Sequence, residues 1–239
     1  MKHLDLTLPS PAENLACDEA LLDWCEENDG EEILRFWESA ETFVVVGYAN
    51  KITAEVNVAA CDKMKIPIFR RCSGGGTVLQ GTGCLNYALI LRIAEKSPLA
   101  GISSANKFIM QCNCKAIAGL MKQPVEVRGH TDLVSGGNKF SGNSQRRKKN
   151  FLLFHGTFLL NFDLALVSEL LQMPSKQPDY RQSRSHGEFL VNLNLSADKV
   201  KAALKKSWNA GDELKTFPKS EILKLAAQKY STDGWNLKF

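Results

Sequence analysis

The 239-residue sequence lacks several features that would point to common classes of protein. It has no run of about 18 apolar residues, which argues against a membrane-spanning helix. The N-terminal segment has no apolar stretch of the kind that signal peptides carry, so a reducing cytoplasm is the expected location. The net charge of +4 falls short of the strong basic bias of nucleic-acid-binding proteins. Membranes and nucleic acids are therefore not expected as partners.

Cysteine is present, but not in the pattern of a disulfide framework or a zinc site. The seven cysteines are odd in number and follow no secretory signal. No C-x-x-C pair occurs, and Cys112-x-Cys114 has no second pair of ligands. We therefore expect most of the cysteines to be small buried apolar residues.

The two commonest nucleotide-binding loops are absent as well. No G-x-x-x-x-G-K-[ST] string occurs, so there is no P-loop. The segment RRCSGGGTVLQGTG, residues 70–83, is rich in glycine, but the residues after Gly76 predict a strand rather than the helix of a dinucleotide-binding turn. Its arginines and free backbone amides suit a phosphate or a carboxylate. A tight bulge with solvated arginines is the alternative interpretation.

Local patterns predict long helices and clustered antiparallel strands. Ser10-Pro11-Ala12-Glu13 has the form of a capping box with proline at the first helical position, and Asn28-Asp29-Gly30 is expected to end that helix. Apolar spacing predicts further helices at 51–64, 103–121, 163–171, 198–206 and 220–230. Strands and helices do not alternate as in a doubly wound sheet. The expected fold is therefore α+β, a mixed and largely antiparallel sheet flanked by helices.

Two further segments combine strand patterns with polar residues. In GHTDLVSGGNKFSGNSQ, residues 129–145, Lys139 lies on a strand between glycine-containing turns. In FHGTFLLNF, residues 154–162, the triplet His155-Gly156-Thr157 interrupts an apolar strand. Each pattern is ambiguous alone, because most lysines are exposed and a polar break can be either a bulge or the lining of a site.

Together these segments resemble the lipoate–protein ligase family, in the superfamily that includes biotin ligases and octanoyltransferases. RRCSGGGTV is similar to the family's R-R-x-S-G-G-G-x-V loop, NKFSGNSQRR to its G-x-K-x-S-G-x-A-x-R element, and FHGTFLLN to its H-H-G-T-L-L-L-N element. NLACDEALL, GCLNYALIL and SRSHGEFLVNL also match in the expected order. The resemblance covers nearly the whole chain and implies a single biotin/lipoate ligase-like catalytic domain over residues 1–239.

The resemblance implies an enzyme that joins the carboxylate of lipoate or octanoate to the α-phosphate of ATP and then transfers the acyl group to a lysine of an acceptor domain. Charge accumulates where carboxylate meets phosphate, and Lys139 is the expected catalytic cation there. ATP, Mg²⁺ and lipoate are the expected ligands, with Mg²⁺ near Asp132. The expected partner is a small acidic lipoyl-acceptor domain. The accessory domain of two-domain ligases has no counterpart in the expected domain, so either a separate chain supplies it or the enzyme works without one.

The matching motifs also imply a set of binding residues. The expected substrate- and nucleotide-binding residues are Arg71, Ser73, Gly74, Gly75, Gly76, Thr77, Asn86, Asp132, Ser141, Gly142, His155, Gly156 and Thr157. The loop 173–187, with Lys176, Tyr180, Arg181, Arg184 and His186, is either a lid that excludes water from the adenylate or an ordinary surface loop. The basic run 146–149 is either a solvated hairpin tip or a docking site for an acidic acceptor domain.

Departures from the family pattern keep other functions open. Gln80-Gly81 stands where ligases often carry His-Asp, and Cys84 stands where asparagine is usual. One alternative is an octanoyl or lipoyl transferase that forms a thioester on a cysteine without ATP, although no cysteine lies near the lysine strand where transferases carry it. The other is a non-catalytic lipoate-binding homologue, which would have little use for Lys139.

Overall fold

The structure, a computed structural model, describes every residue from Met1 to Phe239. Its strands are β1 (Lys2–Asp5), β2 (Ile33–Trp37), β3 (Phe43–Val46), β4 (Ile68–Arg70), β5 (Val78–Gln80), β6 (Cys84–Arg92), β7 (Val125–Arg128), β8 (Asp132–Ser135), β9 (Asn138–Arg147), β10 (Phe151–Leu159) and β11 (Asp212–Glu213). Its α-helices are α1 (Pro11–Asn28), α2 (Ile52–Glu55), α3 (Val58–Met64), α4 (Ile102–Ala118), α5 (Ala165–Leu170), α6 (His186–Phe189), α7 (Ala197–Ser207), α8 (Lys219–Leu225) and α9 (Asp233–Asn236).

The strands form a large sheet and a small one. The large sheet has the order β11-β1-β2-β6-β10-β9-β8-β7, and the small sheet has the order β4-β3-β5. In the large sheet the pairs from β2 to β7 are antiparallel, and β1 pairs in parallel with β2 and β11. Helices α1 and α8 cover one face, and α4 and α7 cover the other. The expected α+β fold with a largely antiparallel sheet is confirmed.

Helix α1 begins and ends at the residues that its sequence predicts. The Glu13 amide donates to Ser10 Oγ at 3.2 Å, and the Ser10 amide donates to the Glu13 carboxylate at 3.0 Å, which completes the capping box. Asp29 caps the other end in the left-handed conformation, with φ of 52°. A good N-cap stabilises a helix by about 1 kcal/mol. The helix carries Asp18 into the interior, where it is 2% exposed.

A one-residue register shift in the β8–β9 pair decides where Lys139 points. Asp132 pairs with Gly142 and Val134 pairs with Lys139, which leaves Phe140 without a partner. Successive residues of a strand alternate between faces, so a regular ladder would put Lys139 and Gly142 on opposite faces. The bulge at Phe140 returns Lys139 to the face that carries Asp132 and Gly142.

Several predicted boundaries change in the structure. The predicted helix 51–64 is two short helices, α2 and α3, because Val56 and Asn57 leave the helical conformation between them. The loop 173–187 contains a 3₁₀ turn at Asp179–Arg181 and leads into α6. A π-helical segment, Ala226–Tyr230, extends α8. None of the helices combines the length and the apolar character needed to cross a membrane.

Candidate active site

Neighbouring strands of the large sheet place several polar residues in one row. Trp37 on β2 pairs with Asn86 on β6, Asn86 with Thr157 on β10, Thr157 with Gly142 on β9, and Gly142 with Asp132 on β8. Residues that pair across strands share a face of the sheet. The row lines a cavity of about 840 Å³ between the large and small sheets, a usual size for a small-molecule site.

The cavity brings together most of the residues that the sequence predicts. The predicted residues that line it are Arg71, Gly75, Gly76, Thr77, Asn86, Asp132, Lys139, Ser141, Gly142, His155, Gly156, Thr157, Lys176 and Arg181. Three predicted residues, Ser73, Gly74 and Arg184, do not line it. Ser73 is 1% exposed and lies behind its hydrogen-bond partners, whereas Gly74 faces solvent and Arg184 braces the loop 173–187.

Lys139 lines the cavity beside Asp132, whose carboxylate also accepts a hydrogen bond from Tyr180. Lys139 Nζ lies 2.8 Å from Asp132 Oδ1, and the Tyr180 hydroxyl donates to Asp132 Oδ2 at 2.8 Å. Burial and the nearby Asp132 charge raise the pKa of Tyr180, so it stays a protonated donor at neutral pH. A Cβ on Gly142 would lie 2.8 Å from Lys139 Nζ, so glycine leaves the space that the ammonium occupies.

A chain of buried hydrogen bonds runs from α1 to the glycine segment through His155. His155 Nδ1 lies 3.0 Å from Asp18 Oδ2, and His155 Nε2 lies 2.6 Å from Ser73 Oγ. Arg35 donates to the other oxygen of Asp18 at 2.5 Å. Burial alone would raise the pKa of Asp18, but Arg35 and His155 hold it below its ordinary value. The charged carboxylate can only accept, so His155 Nδ1 carries a proton, and in the neutral imidazole Nε2 is then an acceptor.

The group Asp18–His155–Ser73 has the composition of a hydrolase triad, but its serine is not placed to attack a substrate. Ser73 Oγ is already bonded to His155, to Ser144 Oγ at 2.7 Å and to Arg71 Nε at 3.1 Å. Ser73 does not line the cavity, whereas its three partners do. Ser73 therefore positions these side chains.

Arg71 fixes the shape of the glycine loop, residues 74–76, by hydrogen bonds to its carbonyl groups. Its guanidinium donates to the Gly74 carbonyl at 2.6 Å and to the Gly76 carbonyl at 2.7 Å. Burial lowers the pKa of Arg71 to about 10, which leaves it charged at neutral pH. Gly75 has φ of 87°, a conformation that glycine adopts without strain. The amide groups of Gly74, Gly75 and Gly76 make no hydrogen bond within the protein, so they are free to bind an anion.

The two departures from the family pattern fall in different surroundings. Gln80 lines the cavity, and its Nε2 donates to Thr157 Oγ1 at 2.6 Å, which donates in turn to Asn86 Oδ1 at 2.6 Å. Cys84 lies outside the cavity and is completely buried. A Cβ on Gly156 would fall 1.7 Å from Asn143 Oδ1 and 2.8 Å from the Gly142 carbonyl oxygen, so a side chain there would displace both Asn143 and the β9 backbone.

None of the seven cysteines lines the cavity. Five are buried, as expected, namely Cys17, Cys25, Cys61, Cys72 and Cys84. Burial raises the pKa of Cys17 to about 11 and the pKa of Cys72 and Cys84 to about 12. A thiol with such a pKa is almost wholly protonated at neutral pH and is a poor nucleophile.

The loop 173–187 packs over the hairpin that carries Lys139. Arg184 donates to Asn138 Oδ1 at 2.9 Å and to the Gly137 carbonyl at 3.0 Å, both in the β8–β9 turn. The Val191 amide, after the loop, donates to the Lys139 carbonyl at 3.0 Å. The loop therefore packs against the β8–β9 hairpin, and its role as a lid stays a prediction.

The basic run 146–149 makes mainly internal contacts. Arg146 donates to the Cys72 carbonyl at 3.1 Å, and Arg147 donates to the Leu99 carbonyl at 2.7 Å. Lys148 Nζ pairs with an Asp23 oxygen at 2.6 Å. Lys149, at the turn, is exposed and forms no ion pair. Three of the four cations therefore brace the hairpin, and the docking of an acceptor domain by this run stays a prediction.

The Mg²⁺ expected near Asp132 needs carboxylate ligands at the cavity. The structure has no group of three or more metal-ligating side chains. Magnesium commonly binds one or two carboxylates together with substrate phosphates and water. Asp132, beside Lys139, fits a single protein ligand for an ion that arrives with a nucleotide.

The sequence did not single out some cavity residues. Asp18, Trp37 and Ser144 all line the cavity. Ser144 could have been found because it lies two residues beyond Gly142, on the same face of a predicted strand. Asp18 lies within the motif NLACDEALL, but nothing in that motif marks it as a site residue, and Trp37 lies in none of the motifs.

Residues 10–208 match the model of the lipoyl protein ligase A/B catalytic domain. The chain belongs to this family and is an enzyme of the lipoate ligase and octanoyltransferase group. It is 27% identical to octanoyltransferase LipM of Halalkalibacterium halodurans over 95% of both chains. It is also 27% identical to lipoate-protein ligase A subunit 1 of Thermoplasma acidophilum, over 94% of this chain and 91% of that one.

Solved structures share the fold at low sequence identity. A bipartite lipoate protein ligase from Thermoplasma acidophilum, described with its E2 lipoyl domain, superposes with a TM-score of 0.82 at 22% identity and covers 99% of this chain and 96% of its own. A lipoate-protein ligase A bound with ATP gives a TM-score of 0.81 at 24% identity and covers 99% of both chains. These likenesses show the fold.

Proposed function

We propose that this chain is an ATP-dependent lipoate–protein ligase. It activates lipoate or octanoate as an acyl-adenylate and transfers the acyl group to a lysine of an acceptor domain. The observation that carries the proposal is that Lys139 and Arg71 line the cavity, whereas no cysteine does. Adenylation needs cations where charge develops, and a thioester route needs an accessible thiolate.

In the first step a carboxylate oxygen of the acyl substrate attacks the α-phosphorus of ATP, and pyrophosphate leaves. The Lys139 ammonium stabilises the negative charge that the two oxyanionic groups bring together. Bound Mg²⁺, with Asp132 as its protein ligand, would add positive charge on the phosphates. Free amides of the glycine loop offer further donors to the same anions.

In the second step the amine of the acceptor lysine attacks the acyl carbonyl, AMP leaves, and the nitrogen loses a proton. His155 lines the cavity with Nε2 as an acceptor, because Asp18 holds the proton on Nδ1. His155 is therefore our candidate for the proton acceptor of this step. Its present partner, Ser73, would have to release Nε2 for the transfer.

The second candidate function is an octanoyl or lipoyl transfer that needs no ATP. The observation in its favour is the end-to-end similarity to octanoyltransferase LipM, 27% identical over 95% of both chains. The positions and raised pKa values of the cysteines oppose a thioester route, since none of them lines the cavity. A non-catalytic lipoate-binding protein is the third candidate.

We also propose a lipoyl-type domain as the acyl acceptor and a separate chain as an accessory subunit. The bipartite ligase from Thermoplasma acidophilum, described with its E2 lipoyl domain, supports this arrangement. Pull-down and activity measurements with purified lipoyl domains would test the first partner. Activity of the chain alone would remove the need for the second.

The deciding experiment measures ATP dependence. The full chain is incubated with ATP, Mg²⁺ and lipoate, and pyrophosphate release and the mass of the lipoyl-adenylate are followed. A parallel reaction supplies an octanoyl-carrier-protein thioester without ATP. We expect adenylate in the first reaction and no acyl transfer in the second. The reverse result would favour the transferase, and lipoate binding without either reaction would favour the non-catalytic protein.

A further inference from the structure

Two buried arginines line the cavity without a carboxylate partner. Arg71 is 8% exposed and Arg181 is 3% exposed, and neither forms an ion pair. The buried Arg35, by contrast, pairs with Asp18. The buried Arg70 lies outside the cavity, where backbone carbonyls surround it. Burying an unpaired charge is costly, so an unpaired buried cation at a cavity wall points to an anionic ligand.

The guanidinium of Arg181 is held in position but is not satisfied. Its Nε donates to the Arg184 carbonyl at 2.9 Å, and its Nη2 lies 3.5 Å from Met173 Sδ and 3.4 Å from His186 Nδ1. Its Nη1 makes no hydrogen bond. The guanidinium carbon lies 4.7 Å from the ring centre of Phe189, which fixes the plane of the fork. None of these partners carries a negative charge.

His186 lies directly beside Arg181, with its Nδ1 3.4 Å from Arg181 Nη2. It lines the cavity, and its Nε2 donates to the Gln172 carbonyl at 3.1 Å. Burial lowers the pKa of His186, and the charges of Arg181 and Lys139 lower it further. The segment that follows His186 lies against the Lys139 strand, because the Val191 amide donates to the Lys139 carbonyl at 3.0 Å.

The carboxylates that line this part of the cavity do not neutralise the charge of Arg181. Asp132 already binds Lys139 and Tyr180. Asp179 lines the cavity and is exposed, and it forms no ion pair. Lys176, exposed on the same loop, adds another positive charge at the cavity. This part of the cavity thus has an excess of positive charge.

We propose that Arg181, with His186 beside it, forms the subsite that holds the β- and γ-phosphates of ATP and the pyrophosphate that leaves. The inference rests on the proposed ligase function and adds to it the residues that bind the leaving group. A guanidinium fork matches two phosphate oxygens, and a diphosphate supplies more than one negative charge. A transferase that works without ATP would have no use for this subsite.

The direct test is the binding of inorganic pyrophosphate to the full chain, measured by calorimetry. Arg181→Met removes the charge and keeps an unbranched side chain over Phe189. The matched control is Arg92→Met, because Arg92 stacks on Phe151 at 4.6 Å but lies outside the cavity. We expect Arg181→Met to weaken pyrophosphate binding about 10- to 100-fold and Arg92→Met to leave it unchanged. Orthophosphate should bind the wild type more weakly than pyrophosphate does.

Thermal denaturation separates a binding role from a structural one. Without ligand, Arg181→Met should keep or raise the Tm, because it removes an unpaired buried charge. With pyrophosphate, the variant should show a smaller rise in Tm than the wild type. Arg181→Lys keeps the charge without the fork and provides a second variant if Arg181→Met does not fold. It should also bind pyrophosphate more weakly than the wild type.

Unchanged pyrophosphate affinity in a folded Arg181 variant would overturn the subsite, even if the wild type makes acyl-adenylate. So would a wild type that does not bind pyrophosphate. A wild type that binds pyrophosphate through Arg181 but makes no adenylate from ATP would instead overturn the ligase function and leave an anion site in place.

Discussion

Lys139 Nζ and Asp132 Oδ1 lie 2.8 Å apart on neighbouring strands, and the pair faces the cavity. The ion pair holds the ammonium in position before any substrate binds. A phosphate or carboxylate that enters must then share Lys139 with Asp132. The pair therefore links the charge of the substrate to the packing of the loop 173–187, because Tyr180 from that loop also binds Asp132.

Lys139→Ala should remove most of the acyl activation and leave the fold intact. The loss of a preorganised cation is expected to lower kcat/KM about 10²- to 10³-fold. The pair is partly exposed, so stability should fall by about 1 kcal/mol or less. Pyrophosphate release and Tm measure the two effects. The control is Lys149→Ala, at the exposed hairpin turn, and wild-type turnover of Lys139→Ala would remove Lys139 from the mechanism.

Iodoacetamide at pH 7.5 should leave the activity of the native protein unchanged. Five of the cysteines are buried, and burial raises the pKa of Cys72 to about 12. Activity assays before and after treatment, with mass spectrometry of the modified residues, provide the measurement. Cys72→Ala should also stay active. Inactivation that an acyl substrate prevents, with a label on a single cysteine, would support the thioester route.

Gly75→Ala should be much more costly than Gly76→Ala. Gly75 has φ of 87°, and a Cβ there would lie 3.0 Å from Arg71 Nη2, whereas a Cβ on Gly76 would meet nothing within 4 Å. We expect Gly75→Ala to lower the free energy of unfolding by roughly 1–3 kcal/mol, and Gly76→Ala to change it by about 0.5 kcal/mol or less. Urea unfolding at neutral pH measures both. Equal effects would mean that the loop adopts another conformation.

Asp18→Asn should destabilise the fold strongly at neutral pH. The change leaves Arg35 buried without its counter-charge, which typically costs about 3–5 kcal/mol. Because Arg35 and His155 outweigh burial and hold the pKa of Asp18 below its ordinary value, its charge adds stability above the unfolded pKa of about 3.9. That contribution is lost as the pH falls through the lower folded pKa.

The pH dependence of that loss provides a second measurement. The difference in unfolding free energy between the wild type and Asp18→Asn should stay constant from pH 7 to about 5 and shrink below about 4. Asp212→Asn is the control, because Asp212 is 82% exposed and pairs with Lys2 at 3.5 Å. Its effect should be within about 1 kcal/mol. A difference that shrank between pH 7 and 5 would contradict the lowered pKa.

The parts of the molecule that the sequence predicts well depend on local signals. The capping box of α1 needs only Ser10 and Glu13, three residues apart, and the structure forms it. The motifs that resemble the family place Lys139 and His155 on strands, and both line one cavity. Alternation along β10 then puts Thr157 on the same face as His155.

The parts that the sequence does not predict depend on contacts between distant residues. Asp18 and His155 are 137 residues apart, and nothing near either of them indicates the hydrogen bond. The basic run at 146–149 looked solvated, yet Arg146 reaches the Cys72 carbonyl and Lys148 pairs with Asp23. These partners depend on how α1 and the glycine segment pack against the sheet, which no local pattern specifies.

The bulge at Phe140 has a consequence for how this chain tolerates changes of length. Phe140 packs on the face of the sheet opposite the cavity, among residues of α4 and α7. Deleting it would restore a regular ladder in which Lys139 still pairs with Val134, so Lys139 would stay on the cavity face while the core lost the buried Phe140 ring. The turn at 148–150, by contrast, could be lengthened without changing which residues pair across the row. We therefore expect insertions at this hairpin tip to cost little, and loss of Phe140 to cost stability because it empties a core position rather than because it moves the lysine.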